Sequence, residues 1–396
     1  MARGRASGSA RPAGPPAQSG QGAVIVSAAE VQARLYEVLW AAFLLGALFG
    51  AIAQRTHFCT MGAIADVVAF GDWTRMRMWL LAIGVAIVGF NAMVWLGWVE
   101  ASKSLYGGTR LTWLSAVVGG LMFGSGMVLS SGCGSKALVR LGGGSLKALV
   151  VCLVLGLSAF ATIKGITATA RAASVDTVFI ALPAGQDLPS LAAHLLQGSR
   201  RTLALVLGIA LGGAAIAVAL ARREGRDPQT LLAGLGIGAV IVAAWWVSGR
   251  LGFVAEDPTT LEEAFLATNS RRMEAMSFVA PVAYTIDWLL WYSDASKLLT
   301  IGIVSCIGVV AGSALVAIAS RGFRWEGFRG VEDTANHVVG AGLMGVGGVT
   351  ALGCTVGQGL SGVSTLGLTS FVALGSIIAG ALLALRYQAW RVALTN

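Results

Sequence analysis

GGLMFGSGMVLSSGCGSKALVRLGGGSLKALV, residues 119–150, is an apolar, glycine-dense run that breaks at Ser130-Ser131-Gly132-Cys133-Gly134-Ser135 and then resumes. Hydroxyls, a thiol and flexible glycines stand where a membrane segment should either continue or leave. Non-helical backbone is tolerated at membrane depth only where protein packs around it or it lines a cavity. The break therefore reads as an inward-facing interruption. It returns in altered form in GLMGVGGVTALGCTVGQGLSG, residues 342–362.

The rest of the chain supplies the membrane. Of 396 residues, 56% are hydrophobic and 12% charged, against about a quarter charged in an ordinary soluble domain. Several apolar runs reach about 20 residues, the length that crosses a hydrocarbon core. The expected fold is an all-α polytopic membrane protein. About nine transmembrane helices are expected, with short re-entrant segments and an inverted internal repeat. The net charge of +9 fits loops on anionic lipid and an anion path; no soluble domain is large enough for a nucleic-acid function. Cys59, Cys133, Cys152, Cys306 and Cys354 show no CxxC spacing, and there are only three histidines. An odd count argues against a purely disulfide framework, and nothing points to a metal, a cofactor or a catalytic pair.

In chain order, residues 1–34 read as a disordered tail and lead-in, rich in Gly, Ala, Ser, Pro and Arg. The first transmembrane repeat covers 35–170 and includes RTHFCTMGAIAD (55–66) at the head of a stretch too short and polar to span. A linker with one transmembrane helix covers 171–228. The second, inverted repeat covers 229–387, with an amphipathic extramembrane helix expected in the insert 250–276 and a second re-entrant candidate at 278–291. Residues 388–396 form a C-terminal tail. At an offset of 221, Gly119, Gly124, Gly126, Gly132 and Cys133 fall on Gly340, Gly345, Gly347, Gly353 and Cys354, and Asp66 on Asp287. An odd linker helix inverts the second half, an architecture that places transport sites at the repeat interface. The basic loops 222–226 and 321–329 put the C-terminal side in the cytoplasm and the insert outside.

A lone cysteine in an apolar helix is ordinarily a small buried hydrophobe, the reading given to Cys152 and Cys306. Cys59, Cys133 and Cys354 lie instead among Thr56, Thr60, Ser130, Ser131, Ser135, Thr355 and Gln358, which a lipid-facing position would not carry. A thiol is a weak donor suited to a polarizable sulfur atom. Hydroxyls, a glutamine amide and the backbone N–H groups exposed at Gly132, Gly134 and Gly353 suit oxyanion oxygens, and half-helix N-termini add positive potential. A substrate soft at one end and oxyanionic at the other matches this set. Arg55 belongs either to the path or to the interface; Lys136 and Arg140 either draw anions in or face headgroups. His57 either lowers the pKa of the neighbouring Cys59 thiol or is an interface residue. Asp66 and Asp287 are expected to cap backbone amides.

RTHFCTMGAIAD, GLMFGSGMVLSSGCGSKALVRLGGG and GLMGVGGVTALGCTVGQGLSG resemble the YeeE/YedE family of sulfur-transport membrane proteins, over most of residues 35–387. The resemblance implies nine spans with inward-dipping segments and uptake of thiosulfate or a related sulfur or selenium species across the bacterial inner membrane. It implies that Cys59, Cys133 and Cys354 pass the anion along by S–H hydrogen bonds. It also implies a small cytoplasmic sulfur carrier of the TusA or YeeD type as partner. No cysteine stands opposite Cys59 in SFVAPVAYTIDW, residues 277–288. The alternative is a membrane thiol sulfurtransferase that forms a persulfide; the absence of CxxC and of an activating base argues for transport, not an enzyme.

Overall fold

A computed structural model describes residues 28–258, 261–294 and 296–395. The expected tail at 1–27 lies outside them, whereas 28–34 already belong to the first helix. Fifteen α-helices follow in chain order among these described residues. The first half holds α1 (Ala28–Thr56), α2 (Thr60–Phe70), α3 (Thr74–Trp95), α4 (Trp113–Leu129), α5 (Gly134–Gly142) and α6 (Leu146–Lys164). Between the halves lie α7 (Ile166–Ala173), α8 (Leu188–Leu196), and α9 (Arg200–Leu207) with α10 (Gly213–Leu220), these last two joined through a π turn into one span. The second half holds α11 (Pro228–Trp246), α12 (Ala280–Leu290), α13 (Ile301–Ala319), α14 (Val331–Thr350) and α15 (Leu368–Thr395).

Eight helices among the described residues are long and apolar enough to cross a membrane, against the about nine expected. The difference is α14, twenty residues long, whose first turns carry Glu332, Asp333, Asn336 and His337. The expected C-terminal tail is not separate, since α15 continues to Thr395.

The long helices pack as an inverted repeat requires. Gly46 and Gly50 of α1 lie against Ser305 and Val309 of α13, so these two run in parallel. Gly234 and Gly238 of α11 lie against Leu81 and Val85 of α3, also in parallel. Thus α1 packs on α13 as α11 packs on α3. Likewise α4 packs on α15 as α14 packs on α6. At the centre α4 and α14 cross antiparallel, with Gly119 on Gly347 and Gly126 on Gly340. Lipid gives no hydrophobic drive between helices, so this backbone contact, open only to small residues, is what holds them.

Two further expectations fail. Beyond the π turn that ends at Leu251, the insert 250–276 contains no helix among its described residues. A short ribbon of β3 (Phe253–Val254) with β4 (Ala264–Phe265) is followed by extended chain, and Met273 exchanges backbone hydrogen bonds with Lys103 and Leu105. Phe265, Met273, Met276 and Phe278 are buried there; an extended strand reaches into the core where a surface helix would have left its apolar stripe outside. The second ribbon, β1 (Arg110–Leu111) with β2 (Ile180–Ala181), ties the linker to the same face. Asp66 and Asp287 do not cap amides. Asp66 pairs with Arg75 at 3.3 Å and Asp287 with Lys297 at 2.6 Å, because both sit within a short helix, one turn or more past its free N–H groups.

Candidate functional site

Three long helices end inside the molecule in the same way. At the end of α4, Ser131 adopts left-handed backbone (φ 54°), the Gly132 N–H returns to Met127 O at 2.8 Å and the Ser131 N–H to Val128 O at 3.2 Å. At the end of α14, Leu352 is left-handed (φ 58°), the Gly353 N–H returns to Gly348 O at 2.8 Å and the Leu352 N–H to Val349 O at 3.0 Å. At the end of α1, His57 is left-handed (φ 54°) and the Phe58 N–H returns to Ala53 O at 3.3 Å. These are Schellman-type stops. None of the three uses glycine at the left-handed position, a strain of about 1–2 kcal/mol for an L-residue. The cysteine follows two residues later each time.

Each cysteine then starts a short helix. Cys59 caps α2, its Sγ accepting the Gly62 N–H at 3.4 Å. Cys354 precedes the half-helix 355–364, its Sγ accepting the Gly357 N–H at 3.3 Å. Cys133 caps α5 and its Sγ lies 3.2 Å from Ser135 Oγ. The thiols thus stand at three helix N-termini, where free N–H groups and the helix dipole favour an anion. All three are free and buried. The residue after two of them carries an unanswered hydroxyl: the Oγ1 atoms of Thr60 and Thr355 are buried without a hydrogen-bond partner, as is Gln358 Oε1. Such atoms cost free energy unless something polar meets them.

The scaffold around the third thiol is tied by polar contacts. Asn91 Nδ2 donates to Ser364 O at 3.0 Å, Trp245 Nε1 to Ser364 Oγ at 2.9 Å, and Ser361 Oγ to Met276 O at 2.7 Å. The half-helix is partly π-wound over Gly357–Gly362, a departure that often marks functional segments.

Two cavities approach the thiols from opposite faces. One, about 250 Å³, is lined by Ser130, Ser131, Gly132, Lys136, Arg140 and His337 among others. Neither Lys136 nor Arg140 forms an ion pair with a carboxylate among the described residues; Lys147 in the same cavity is held by Asp333 at 2.8 Å. The other, about 220 Å³, is lined by Leu352, Gly353, Tyr106, Arg171, Glu274 and Ser277 among others. Each cavity ends on one left-handed break, with the thiol buried just beyond it.

Of the expected residues, Ser131, Gly132 and Lys136 line the first cavity and Gly353 the second. Gly134, Ser135, Thr355 and Gln358 lie buried beside the thiols. Arg55 is exposed in the last turn of α1 and lines neither cavity. His57 holds the left-handed turn before Cys59. Cys152 and Cys306 sit inside α6 and α13 as buried apolar groups. Sequence reasoning missed Tyr106 and Glu274, which reach the site from connecting segments with no motif of their own, and Phe278, which opens the second re-entrant candidate but brings no polar group that would mark it. Phe278 is fully buried against Phe49, ring centroids 5.2 Å apart, close to the position where the repeat lacks its fourth thiol.

A family model described as sulphur transport matches residues 55–383. A relative from Spirochaeta thermophila called "Thiosulfate transporter TsuA" is 26% identical over 341 residues, covering 85% of this chain and 94% of the relative. One of the same name from Escherichia coli is 25% identical over 335 residues, covering 82% and 88%. "Probable transporter YedE" of Salmonella typhimurium is 31% identical over 99 residues, a quarter of this chain and 23% of the relative.

Proposed function

The chain belongs to the sulphur transport family, and from that premise we propose that it takes up thiosulfate, or a closely related small sulfur anion, across the bacterial inner membrane. The observation that carries the reading is the arrangement of Cys59, Cys133 and Cys354 at three inward helix starts between two cavities on opposite faces. A thiosulfate ion has a soft terminal sulfur and three hard oxygens. Thiols suit the first; N-terminal N–H groups and the Thr60 and Thr355 hydroxyls suit the second. The anion passes from thiol to thiol by S–H hydrogen bonds, with Ser131, Gly132, Gly134, Ser135, Gly353 and Gln358 shaping the route and Lys136, in the cavity on the loop 321–329 side, receiving the anion.

Residues 35–170 and 229–387 serve as the two halves of this route, joined by the linker 171–228. The insert side faces outward. The opposite face carries the basic loops 222–226 and 321–329 together with the end of α15, where Arg391 meets Glu332 at 3.2 Å. It faces the cytoplasm and offers the anion to a TusA- or YeeD-like sulfur carrier. The thiols act without covalent chemistry.

Uptake of labelled thiosulfate into liposomes holding the purified protein tests the reading. Accumulation above empty liposomes is expected, and no flux at all overturns it. A persulfide on any of the three cysteines, found by intact mass after turnover, would overturn the non-covalent route while leaving the substrate standing.

A further inference from the structure

Glu274 is a carboxylate at the mouth of an anion route, and no Lys, Arg or His among the described residues lies within ion-pair distance of it. It sits on the extended chain that enters the core after β4. Its backbone N–H donates to Ser248 Oγ at 2.9 Å, and its carboxylate accepts the Ser270 N–H at 2.8 Å and the Ser270 hydroxyl. The cations nearby are engaged elsewhere. Arg171 pairs with Asp176 at 3.0 Å, and Arg272 donates to the Ser104 and Gly107 carbonyls at 3.5 and 3.1 Å. The other titratable groups lining this cavity are Tyr106 and Tyr284; Asp287, further along α12, is held by Lys297. Burial pushes the Glu274 carboxyl above the usual carboxylate range, against the smaller opposing pull of the Ser270 hydrogen bonds.

The cavity that Glu274 faces ends on Leu352 and Gly353, directly before Cys354. The Tyr106 hydroxyl lines the same cavity and lies against Gly357, whose N–H holds the Cys354 sulfur. An ionised carboxylate and a doubly charged anion repel strongly in so confined a space. One of them must give way, and protonation is the cheaper way for a carboxyl that burial already disfavours as an ion.

Resting on the reading of this chain as an anion carrier, we infer that Glu274 is a proton-binding site that couples entry of each anion into the outer cavity to the uptake of one proton. The proton is supplied by water on that face; Glu274 holds it while the anion occupies the outer cavity and, once the anion has moved inward, releases it past the Tyr106 hydroxyl to water in the cavity on the opposite face, returning to the carboxylate. Binding is reciprocal: the anion strengthens the hold on the proton by the factor with which the proton strengthens the hold on the anion. A proton carried along also lowers the net negative charge that an interior-negative potential opposes.

The test is thiosulfate flux in proteoliposomes loaded with a pH-sensitive dye. The wild type should move protons in the same direction as thiosulfate, and its uptake should rise about tenfold between about pH 8 and about pH 6. Glu274→Gln should still exchange thiosulfate, move no proton with it, and lose the pH dependence. Ser270→Ala, which removes a donor to the ionised form, should keep the coupling and shift the midpoint to higher pH. Thiosulfate flux without protons in the wild type, or unchanged coupling in Glu274→Gln, overturns the inference and leaves the proposed substrate intact. An absence of thiosulfate flux overturns both.

Discussion

Cys59 and Cys354 occupy the same place in two different helix starts: each sulfur accepts the amide N–H of the third residue on, at 3.4 and 3.3 Å, and each is followed by a threonine whose hydroxyl is buried without a partner. Cys59 closes the end of α1 and Cys354 the end of α14, helices that are not repeat equivalents. The recurrence therefore belongs to the chemistry of the site rather than to the symmetry of the repeat.

If the thiols hand the anion on, replacing them is costly in a graded way. A hydrogen bond to a charged partner contributes about 1.5–3 kcal/mol, so Cys133→Ala and Cys354→Ala should each slow initial thiosulfate uptake by about 10- to 100-fold. Serine restores a donor but not a soft sulfur partner, and should recover part of the rate. Full activity of either alanine variant in proteoliposomes would remove the thiol from the route.

The threonine hydroxyls give a test with opposite signs. Thr60→Val and Thr355→Val keep the shape and delete a buried, unpaired oxygen, so thermal stability in detergent should hold or rise by about 1 kcal/mol, while thiosulfate uptake falls. A structural hydroxyl would show the reverse, with stability lost and uptake scaled only by the amount of folded protein.

Close helix contact makes a further, purely structural forecast. A Cβ on Gly312 of α13 would overlap the Ala47 carbonyl of α1, whereas a Cβ on Gly342 of α14 would meet nothing within 4 Å. Gly312→Ala should cost about 1–3 kcal/mol through overpacking, and Gly342→Ala should be neutral or slightly stabilising through helix propensity. Equal melting temperatures for the two variants would contradict the packing.

How far the sequence led is best judged residue by residue. Apolar run length and the Gly-Cys recurrence at an offset of 221 were enough for the polytopic all-α fold and the two helix breaks, because both depend on local pattern. The pairing of Asp66 with Arg75 and of Asp287 with Lys297 was not visible: either carboxylate could have capped, and only the turn after the short helix decides which cation returns. The strand-like path of 250–276 was hidden for a related reason. Its backbone partners, Lys103 and Leu105, lie some 170 residues earlier, beyond any helical periodicity. Glu274 looked like one more charge in a solvated insert until that path carried it to the cavity.

Outside the membrane, Asp72 shows a smaller linkage. Its carboxylate accepts the Thr74 hydroxyl at 2.6 Å and the Thr74 N–H at 2.9 Å, which hold its pKa below the ordinary value. A lowered folded-state pKa gives stability that is present above the unfolded value, near 4, and is lost as pH falls through the folded one. Asp72→Asn should therefore lower the melting temperature slightly at neutral pH, and the gap to wild type should close in acid. A gap that widens on acidification would contradict the assignment.

Lys136 makes the sharpest claim about substrate charge. It stands one turn into α5, three residues past Cys133, and lines the cavity beside Ser131 and Gly132, and no carboxylate among the described residues pairs with it. A fixed charge acts on an anion in proportion to the anion's own charge. Loss of Lys136 should then penalise a dianion about twice as much, in free energy, as a monoanion. Lys136→Gln should slow thiosulfate uptake by about tenfold or more while leaving inhibition by a monovalent sulfur anion such as thiocyanate much less affected; Lys136→Arg should restore most of the rate. A thiosulfate rate and a thiocyanate inhibition constant weakened by the same factor would mean that Lys136 only shapes the cavity, and an unchanged thiosulfate rate would place the anion's path elsewhere.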